Sequence, residues 1–345
     1  MTDLQYAKQI VRALHEALDT CRGIDLAREL AARTGPAYLW RGYHPFGELH
    51  GAETVAARFW LPLHDALRHM RRREDIFFAG TNRLAGDDGV WVVSMGHLMG
   101  LFDAPWLGLR PTGKLTFLRY ASFDRVADGI VTDTAMFFDL PHMMAQAGQP
   151  AFAAQTGAHL VQPGPAGHDG RLLDPQPPAE GDATMDLIAR MIADLGQWRS
   201  GLPLEDELAR TWAPDMLWWG PEGIGATYTI ARYAAQHARP FRSSFADRSS
   251  TSHVARVAEG LFGGFFGWPN FTARPTGGFM GMPGTGRSGE FRVIDIYRRN
   301  GDRLAENWVF IDLLHFWAGQ GVDLLARVTD GAAPSVQGQA PAPMP

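Results

Sequence analysis

The second half of the chain repeats residues of the first half at a fixed distance of 173 positions. Thr112 and Gly113 correspond to Thr285 and Gly286, and no gap is needed over residues 112–148. This window holds ten identities, whereas ordinary residue usage would give about two or three. The others pair Arg119 with Arg292, Arg125 with Arg298, Phe137 with Phe310, Asp139 with Asp312, Leu140 with Leu313, His142 with His315, Ala145 with Ala318 and Gly148 with Gly321. We therefore predict two copies of one ancestral domain, fused head to tail.

The repeat divides the 345 residues into two domains, as expected at roughly 100–200 residues per domain. We predict the first domain over residues 1–150 and the second over residues 184–328. Residues 151–183 are rich in Pro, Gly and Ala and are predicted to form a linker. The Pro- and Ala-rich residues 329–345 are predicted to be a disordered tail.

Each half starts with helical patterns and ends with strand patterns. Helices are predicted over 4–21, 24–34, 52–71, 184–198, 204–212 and 226–238. Strands 114–126 and 130–140 flank Asp128-Gly129, and strands 287–298 and 303–313 flank Asn300-Gly301, which are strong hairpin signals. Helices first and strands later predict an α+β fold, with helices on one face of a curved antiparallel sheet.

Composition excludes several classes of protein. The formal net charge is −5, so a nucleic-acid partner is not expected. No apolar run is long enough to cross a membrane, and the charged N-terminal segment does not resemble a signal peptide. Cys21 is the single cysteine, which rules out a disulfide within the chain. We expect a cytoplasmic protein without a membrane partner.

No motif for a bound cofactor or metal is present. The sequence lacks His-Glu-x-x-His, a Walker motif and a Gly-x-Ser-x-Gly elbow. The glycine-rich residues 260–267 lack a phosphate fingerprint and are predicted to be a strand or bulge with aromatic packing. We expect no cofactor and no metal.

Several segments resemble the SnoaL-like polyketide (ester) cyclases, within the nuclear transport factor 2-like superfamily. The segments are 108–114 (GLRPTGK) and Gly96-His97 in the first half, and 278–287 (GFMGMPGTGR), 295–298 (DIYR) and 306–312 (ENWVFID) in the second. The resemblance covers roughly residues 8–148 and 184–325. It implies two tandem cone-shaped barrels, each closing an apolar pocket, that pair through their sheets as a pseudo-dimer within one chain. Further homo-oligomerisation is left open.

Two aspartates are the predicted acid/base groups. Strand alternation places Trp308, Phe310 and Asp312 on one face and Asn307, Val309 and Ile311 on the other, and it groups Phe137 with Asp139. Burial among aromatic rings would raise the pKa of such a carboxyl group toward neutrality. In the resembling cyclases the aspartate at this position moves the proton in aldol closure. The alternative is that each carboxylate caps or pairs with a neighbouring loop.

Histidines complete the predicted catalytic set. His142 and His315 follow the two aspartates by three residues, a spacing that lets each imidazole turn back toward its carboxylate. His97, at the family's pocket-histidine position, is the predicted partner of Asp139. The predicted substrate-binding residues are aromatic side chains and one methionine: Trp40, Trp218, Trp308, Phe310, Phe137 and Met95. For any one of the tryptophans, core filling is the alternative.

We expect a cofactor-independent enzyme that moves a proton next to the carbonyl of a hydrophobic compound. Aldol-type cyclisation, isomerisation, dehydration and hydrolysis all fit this chemistry. The alternative is a non-catalytic tandem module that binds a small molecule or another protein. A closed cavity with an aspartate on its wall favours the enzyme, and collapsed pockets in both halves favour the module. The halves also differ, since Ser122 and Ala135 stand where the second half has Asp295 and Trp308. Two unequal pockets are therefore predicted.

Overall fold

The structure is a computed structural model that describes residues 3–153, 155–196, 201–250 and 253–330. The predicted tail lies outside these residues from position 331 onward. In the first half, α1 (Asp3–Thr20) and α2 (Gly23–Arg33) precede the sheet. Helix α1 forms because Ala7, Val11 and Leu14 recur at helical spacing and bury one face.

One mixed sheet forms the first half. Its elements in chain order are β1 (Thr34–Gly42), β2 (Gly47–His50), α3 (Ala52–Val55), a π-helical turn (Ala56–Trp60), α4 (Leu61–Ala66), β3 (Leu67–Thr81), β4 (Val90–Phe102), β5 (Leu115–Ala127), β6 (Ile130–Phe138) and α5 (Leu140–Gln146). The strand order is β2-β1-β6-β5-β4-β3, antiparallel except where β1 runs parallel to β6. Helix α1 packs on β3, β4 and β5 and covers one face of this sheet.

The second half has the same order of strands. Its elements are α6 (Pro178–Gly196), α7 (Leu204–Leu208), β7 (Trp212–Trp219), β8 (Ala226–Tyr228), α8 (Ile230–Tyr233), a second π-helical turn (Ala234–Ala238), α9 (Arg239–Ser244), β9 (Phe245–Ser250), β10 (His253–Glu259), β11 (Phe262–Pro275), β12 (Gly289–Asn300), β13 (Arg303–Ile311), α10 (Leu313–Gly319) and α11 (Leu324–Thr329). The sheet runs β8-β7-β13-β12-β11-β10, and β9 also pairs with β11. Helix α6 covers β10 and β11. The predicted α+β class, with two curved sheets packed on helices, is confirmed.

Both predicted hairpins form. Asp128 and Gly129 have φ of 51° and 79°, and Gly301 has φ of 59°. These left-handed conformations are the reason for the Asp-Gly and Asn-Gly sequences, since glycine and small polar residues adopt them at low cost. Residues 262–275 form β11, so the prediction of a strand for the glycine-rich segment is also correct.

Four predicted helix boundaries are wrong. The helix predicted over 52–71 ends at Ala66, because Leu67 begins β3 and pairs with Phe102 of β4. The helix predicted over 204–212 ends at Leu208, and Trp212 already belongs to β7. Helix α6 begins at Pro178, within the predicted linker, and residues 226–228 form a strand before α8. In the three cases other than α6, strand formation outweighs the local helical pattern.

The outer faces of the two sheets pack against each other. Phe137 meets Trp268 with ring centroids 5.8 Å apart, and Trp91 meets Phe266 at 5.4 Å. A buried ion pair between Lys8 and Glu259, 2.7 Å long, also joins the halves. Each sheet therefore has one face toward its own helices and one toward the other half.

Candidate functional site

The second half contains a partly open cavity of about 230 Å³ between its sheet and its helices. A cavity of roughly 150 Å³ holds benzene, so this one has room for more than a single aromatic ring. Its wall combines aromatic, aliphatic and polar side chains. The residues of this wall include Trp212, Trp218, Tyr233, His237, Phe241, Arg248, His253, Arg256, Phe265, Phe271, Asp295, Tyr297, Asn307, Val309 and Ile311.

The cavity uses the opposite face of β13 from the one predicted. Asn307, Val309 and Ile311 line it, whereas Trp308 and Phe310 point away. The predicted alternation is therefore correct, but the assignment of the pocket face is wrong. The reason is that α6 and its neighbours cover one face of the sheet and the first half covers the other.

Asp295 is the one carboxylate among the described residues of the cavity wall. It lies on β12 between Phe265 of β11 and Val309 of β13, with which it is paired in register. The side-chain amide of Asn307 donates to Asp295 Oδ1 at 3.2 Å, and Tyr297 also forms a side-chain hydrogen bond with it. Burial raises the pKa of Asp295 to about 7, against the effect of these donors. A carboxyl group with this pKa can both accept and return a proton at neutral pH.

Basic side chains lie on another part of the wall. Arg256 donates from Nε to His253 Nδ1 at 2.8 Å, which leaves His253 Nε2 as the protonated nitrogen. Burial lowers the pKa of His253 to about 3, so this imidazole is neutral, and it stacks on Phe265 at 4.1 Å. The Arg248 guanidinium lies 4.6 Å from the Phe271 ring. This part of the wall therefore carries positive charge and hydrogen-bond donors.

A stacked pair closes another side of the cavity. Trp218 and His237 lie with ring centroids 4.1 Å apart, and Tyr233 contacts both rings. Burial lowers the pKa of His237 to about 3. Of the six predicted substrate-binding residues, Trp218 is the one that lines this cavity.

The corresponding space in the first half is nearly closed, with a volume of about 20 Å³. Trp40, a predicted substrate-binding residue, lines this remnant. A hydrogen-bond network fills it: Ser122 and Thr134 both donate to Asp124, at 2.9 and 2.7 Å, and Tyr38 donates to Thr134 at 2.9 Å. Asp124 is thus hydrogen-bonded within a packed network, whereas Asp295 borders the open cavity.

Asp139 and Asp312 take the capping role that was named as the alternative. Asp312 begins α10 and accepts from the backbone N–H of His315 at 3.1 Å and of His44, in the other half, at 2.9 Å. Asp139 begins α5 and accepts from the N–H of His142 at 3.2 Å and of Glu222, in the other half, at 3.0 Å. Burial raises the pKa of Asp312 to about 7. Both carboxylates therefore join the two halves, and neither lines the cavity of the second half.

The predicted histidines lie near these caps, but their imidazoles do not turn back to the carboxylates. The three-residue spacing brings the backbone N–H of His142 and His315 to the aspartates instead. The His315 ring lies 3.5 Å from Glu290. His97 lies 3.6 Å from Asp75 rather than beside Asp139, and burial lowers its pKa. None of the three lines the cavity.

The other predicted substrate-binding residues lie on the outer faces of the sheets. Phe310 packs under the buried Arg119 guanidinium at 4.0 Å, and Phe137 contacts Trp268. Met95 is buried. It pairs with Ala121 of β5, which in turn pairs with Phe137 of β6. Trp308 donates from Nε1 to the carbonyl of Pro163 at 3.0 Å and so holds the predicted linker against the sheet.

Asp295 was not among the site residues predicted from the sequence. The sequence did contain evidence for it, because alternation along β12 puts Val293, Asp295 and Tyr297 on one face. The comparison with Ser122, where the halves differ, also pointed to this position. Asp312 was predicted instead because an aspartate stands at this position in both halves. These two aspartates, however, lie at the interface that the halves share.

Residues 267–318 match the sequence model of a family described as SnoaL-like polyketide cyclase, which confirms the resemblance inferred from the motifs. This segment contains β12, β13 and Asp295. No curated protein matches the chain. Among the described residues, no helix is both long enough and apolar enough to span a membrane.

Solved structures similar to parts of this chain include two NTF2-like proteins from Burkholderia. The one from Burkholderia xenovorans is 17% identical, covers 41% of this chain and 97% of its own, and has a TM-score of 0.33. The one from Burkholderia thailandensis is 23% identical, covers 43% and 100%, and has a TM-score of 0.31. TsrD from Streptomyces laurentii is 22% identical, covers 39% and 96%, and has a TM-score of 0.32.

Proposed function

We propose that the chain is a cofactor-free enzyme of the cyclase or isomerase type and that its reaction takes place in the cavity of the second half. The observation that carries this proposal is a carboxyl group, Asp295, with a pKa of about 7, on the wall of a cavity that combines aromatic and aliphatic side chains with basic ones. The match of residues 267–318 to SnoaL-like polyketide cyclases supports the same reaction class. The substrate is a hydrophobic carbonyl compound of small size.

Charged Asp295 removes a proton from the carbon next to the carbonyl group, and the C–H electron pair forms an enolate. The hydroxyl group of Tyr233, on the cavity wall, is a donor for the enolate oxygen. The enolate carbon then attacks a second carbonyl carbon, which is aldol closure, or takes the proton back at another carbon, which is isomerisation. In either case protonated Asp295 returns its proton and the carboxylate is restored.

The first half has a structural role in this proposal. Its own space is filled by the network around Asp124, and its outer sheet face supports the second half. The matching strand orders support the inference that both halves descend from one domain. Asp139 and Asp312 as acid/base groups, and a cytoplasmic location, stay predictions from the sequence.

We expect the protein to exchange protons next to the carbonyl of small cyclic ketones or 1,3-diketones in heavy water. The test is proton NMR of a ketone panel with and without protein. The variant Val309→Trp, which fills the cavity from β13, is expected to lose both exchange and binding. Binding of ketones without any exchange would instead identify a binding module, and it would contradict the enzymatic proposal.

The rate is expected to depend on pH near neutrality. Asp295 must be charged to act as a base, and its pKa of about 7 means that this form increases as the pH rises from 6 to 8. The value of kcat/KM should therefore rise through this range and level off above it. A profile that is flat from pH 5 to 9 would show that no group with this pKa controls the step.

A further inference from the structure

Three side chains of metal-ligand type converge where the halves meet, away from the cavity. They are His142 of α5, His159 of the segment between the halves, and Glu222 of the loop before β8. One ligand atom from each lies within 4.8 Å of the others. None of these residues lines the cavity of the second half.

His142 provides the strongest sign that a ligand belongs here. Its side chain is buried, with 4% of its surface exposed, and its Nε2 has no hydrogen-bond partner among the described residues. A buried polar atom without a partner is unfavourable unless a ligand satisfies it. Gln146 touches His142 Nδ1 at 3.2 Å and is itself bonded to the Phe117 backbone, so the ring is held in place.

Charge at this place also favours a cation. Glu222 Oε2 lies 2.8 Å from His159 Nδ1, and the backbone N–H of Glu222 is bonded to the Asp139 carboxylate. Two buried carboxyl groups are thus close together. Arg119 lies 3.9 Å from Asp139 and offsets part of this negative charge.

We propose that His142, His159 and Glu222 bind a divalent transition-metal ion, with Zn²⁺ as the best fit. Two imidazoles and one carboxylate form a ligand set that zinc accepts, with a fourth position for water. His159 is half exposed and can adjust its side chain to shorten the ligand distances. Binding at His142 Nε2 places the ring proton on Nδ1, so the Gln146 amide N–H that lies 3.2 Å from Nδ1 turns to its alternative acceptor, the His142 carbonyl at 3.4 Å.

The ion would fasten α5 of the first half to a loop of the second half. It lies outside the cavity, so the proposed acid/base chemistry does not pass through it. This site differs from the sequence-based expectation of no metal. That expectation rested on local motifs, and the three ligands are 17 and 63 residues apart along the chain.

The other end of the interface offers a matched control. His315 corresponds to His142 and also begins a helix capped by an aspartate, and its ring lies near Glu290. Within the described parts of the chain, however, the set of His142, His159 and Glu222 is the one group of three ligands found. His315→Ala should therefore leave metal binding unchanged.

The experiment is titration of the full chain, stripped with a chelator, with Zn²⁺ in a calorimeter, followed by Co²⁺ and its visible absorption. We expect one ion per chain, a higher melting temperature with Zn²⁺, and affinity at least ~10-fold lower in His159→Ala and Glu222→Gln. His159 is exposed, so its loss leaves the fold intact. Binding that is absent, or equally strong in wild type, His159→Ala and His142→Ala, would overturn the proposal.

Discussion

Asp295→Asn is expected to lower the rate of proton exchange by a factor of about 10²–10⁴, the usual contribution of a general acid or base. Asparagine has the same shape and keeps an oxygen for the Asn307 amide, which donates to Asp295 Oδ1 at 3.2 Å. It cannot take up a proton at neutral pH. The expected result is therefore a folded protein that binds ketones and does not exchange their protons. NMR exchange and a thermal-shift assay measure the two properties separately.

Asp302→Asn is the matched control, because Asp302 lies in the exposed turn between β12 and β13 of the same half. It removes a carboxylate from the same hairpin without touching the cavity, and we expect the wild-type rate. Retention of full activity by Asp295→Asn would exclude Asp295 as the base. If Asp312→Asn then lost activity while remaining folded, the original assignment from the sequence would be supported.

Asp312→Ala is expected to lower the free energy of unfolding by about 2–4 kcal/mol. The change removes the cap of α10, which contributes about 1 kcal/mol in typical proteins. It also leaves the backbone N–H of His44, in the other half, without its acceptor. A buried donor left unpaired costs about 1–3 kcal/mol more. Equilibrium unfolding in urea, followed by tryptophan fluorescence, measures the change.

Asp323→Ala separates the two contributions. Asp323 caps α11 in the same way, by accepting from Ala326 N–H at 2.9 Å, but it is exposed, and its charge acts on His44 without a hydrogen bond to the His44 N–H, which is bonded to Asp312. Its loss should cost about 1 kcal/mol. Equal effects of the two substitutions would show that the contact between Asp312 and His44 adds nothing to stability. Asp139→Ala should resemble Asp312→Ala, because Asp139 binds Glu222 N–H in the same way.

The difference between the two cavities follows from a few side chains. Ser122, Asp124 and Thr134 bond to one another in a packed space, whereas their counterparts Asp295, Tyr297 and Asn307 bond to one another and also border the cavity. The looser upstream match aligns Trp60, which lines the remnant space of the first half, with the small residue Ala234 of the second half. One half has thus kept room for a small molecule, and the other has become a packed support.

The sequence by itself determined the repeat, the two hairpins and the alternation along β13. These features depend on local geometry: a period of two in a strand, and positive φ at Asp128, Gly129 and Gly301. The three-residue spacing of Asp312 and His315 also indicated a contact, but this contact is the backbone N–H of a helix cap and not the imidazole contact that was predicted.

Only the tertiary structure decided which face of each sheet encloses a cavity. When a strand carries apolar residues on both faces, its sequence does not show which face lines a cavity. Both faces of β13 are buried, one by its own helices and one by the other half. The residues that the halves share, such as Asp139 and Asp312, hold the common interface. The proposed reaction site instead depends on Asp295, at a position where the first half has Ser122. The halves can differ at this position because one open cavity is sufficient for the proposed reaction.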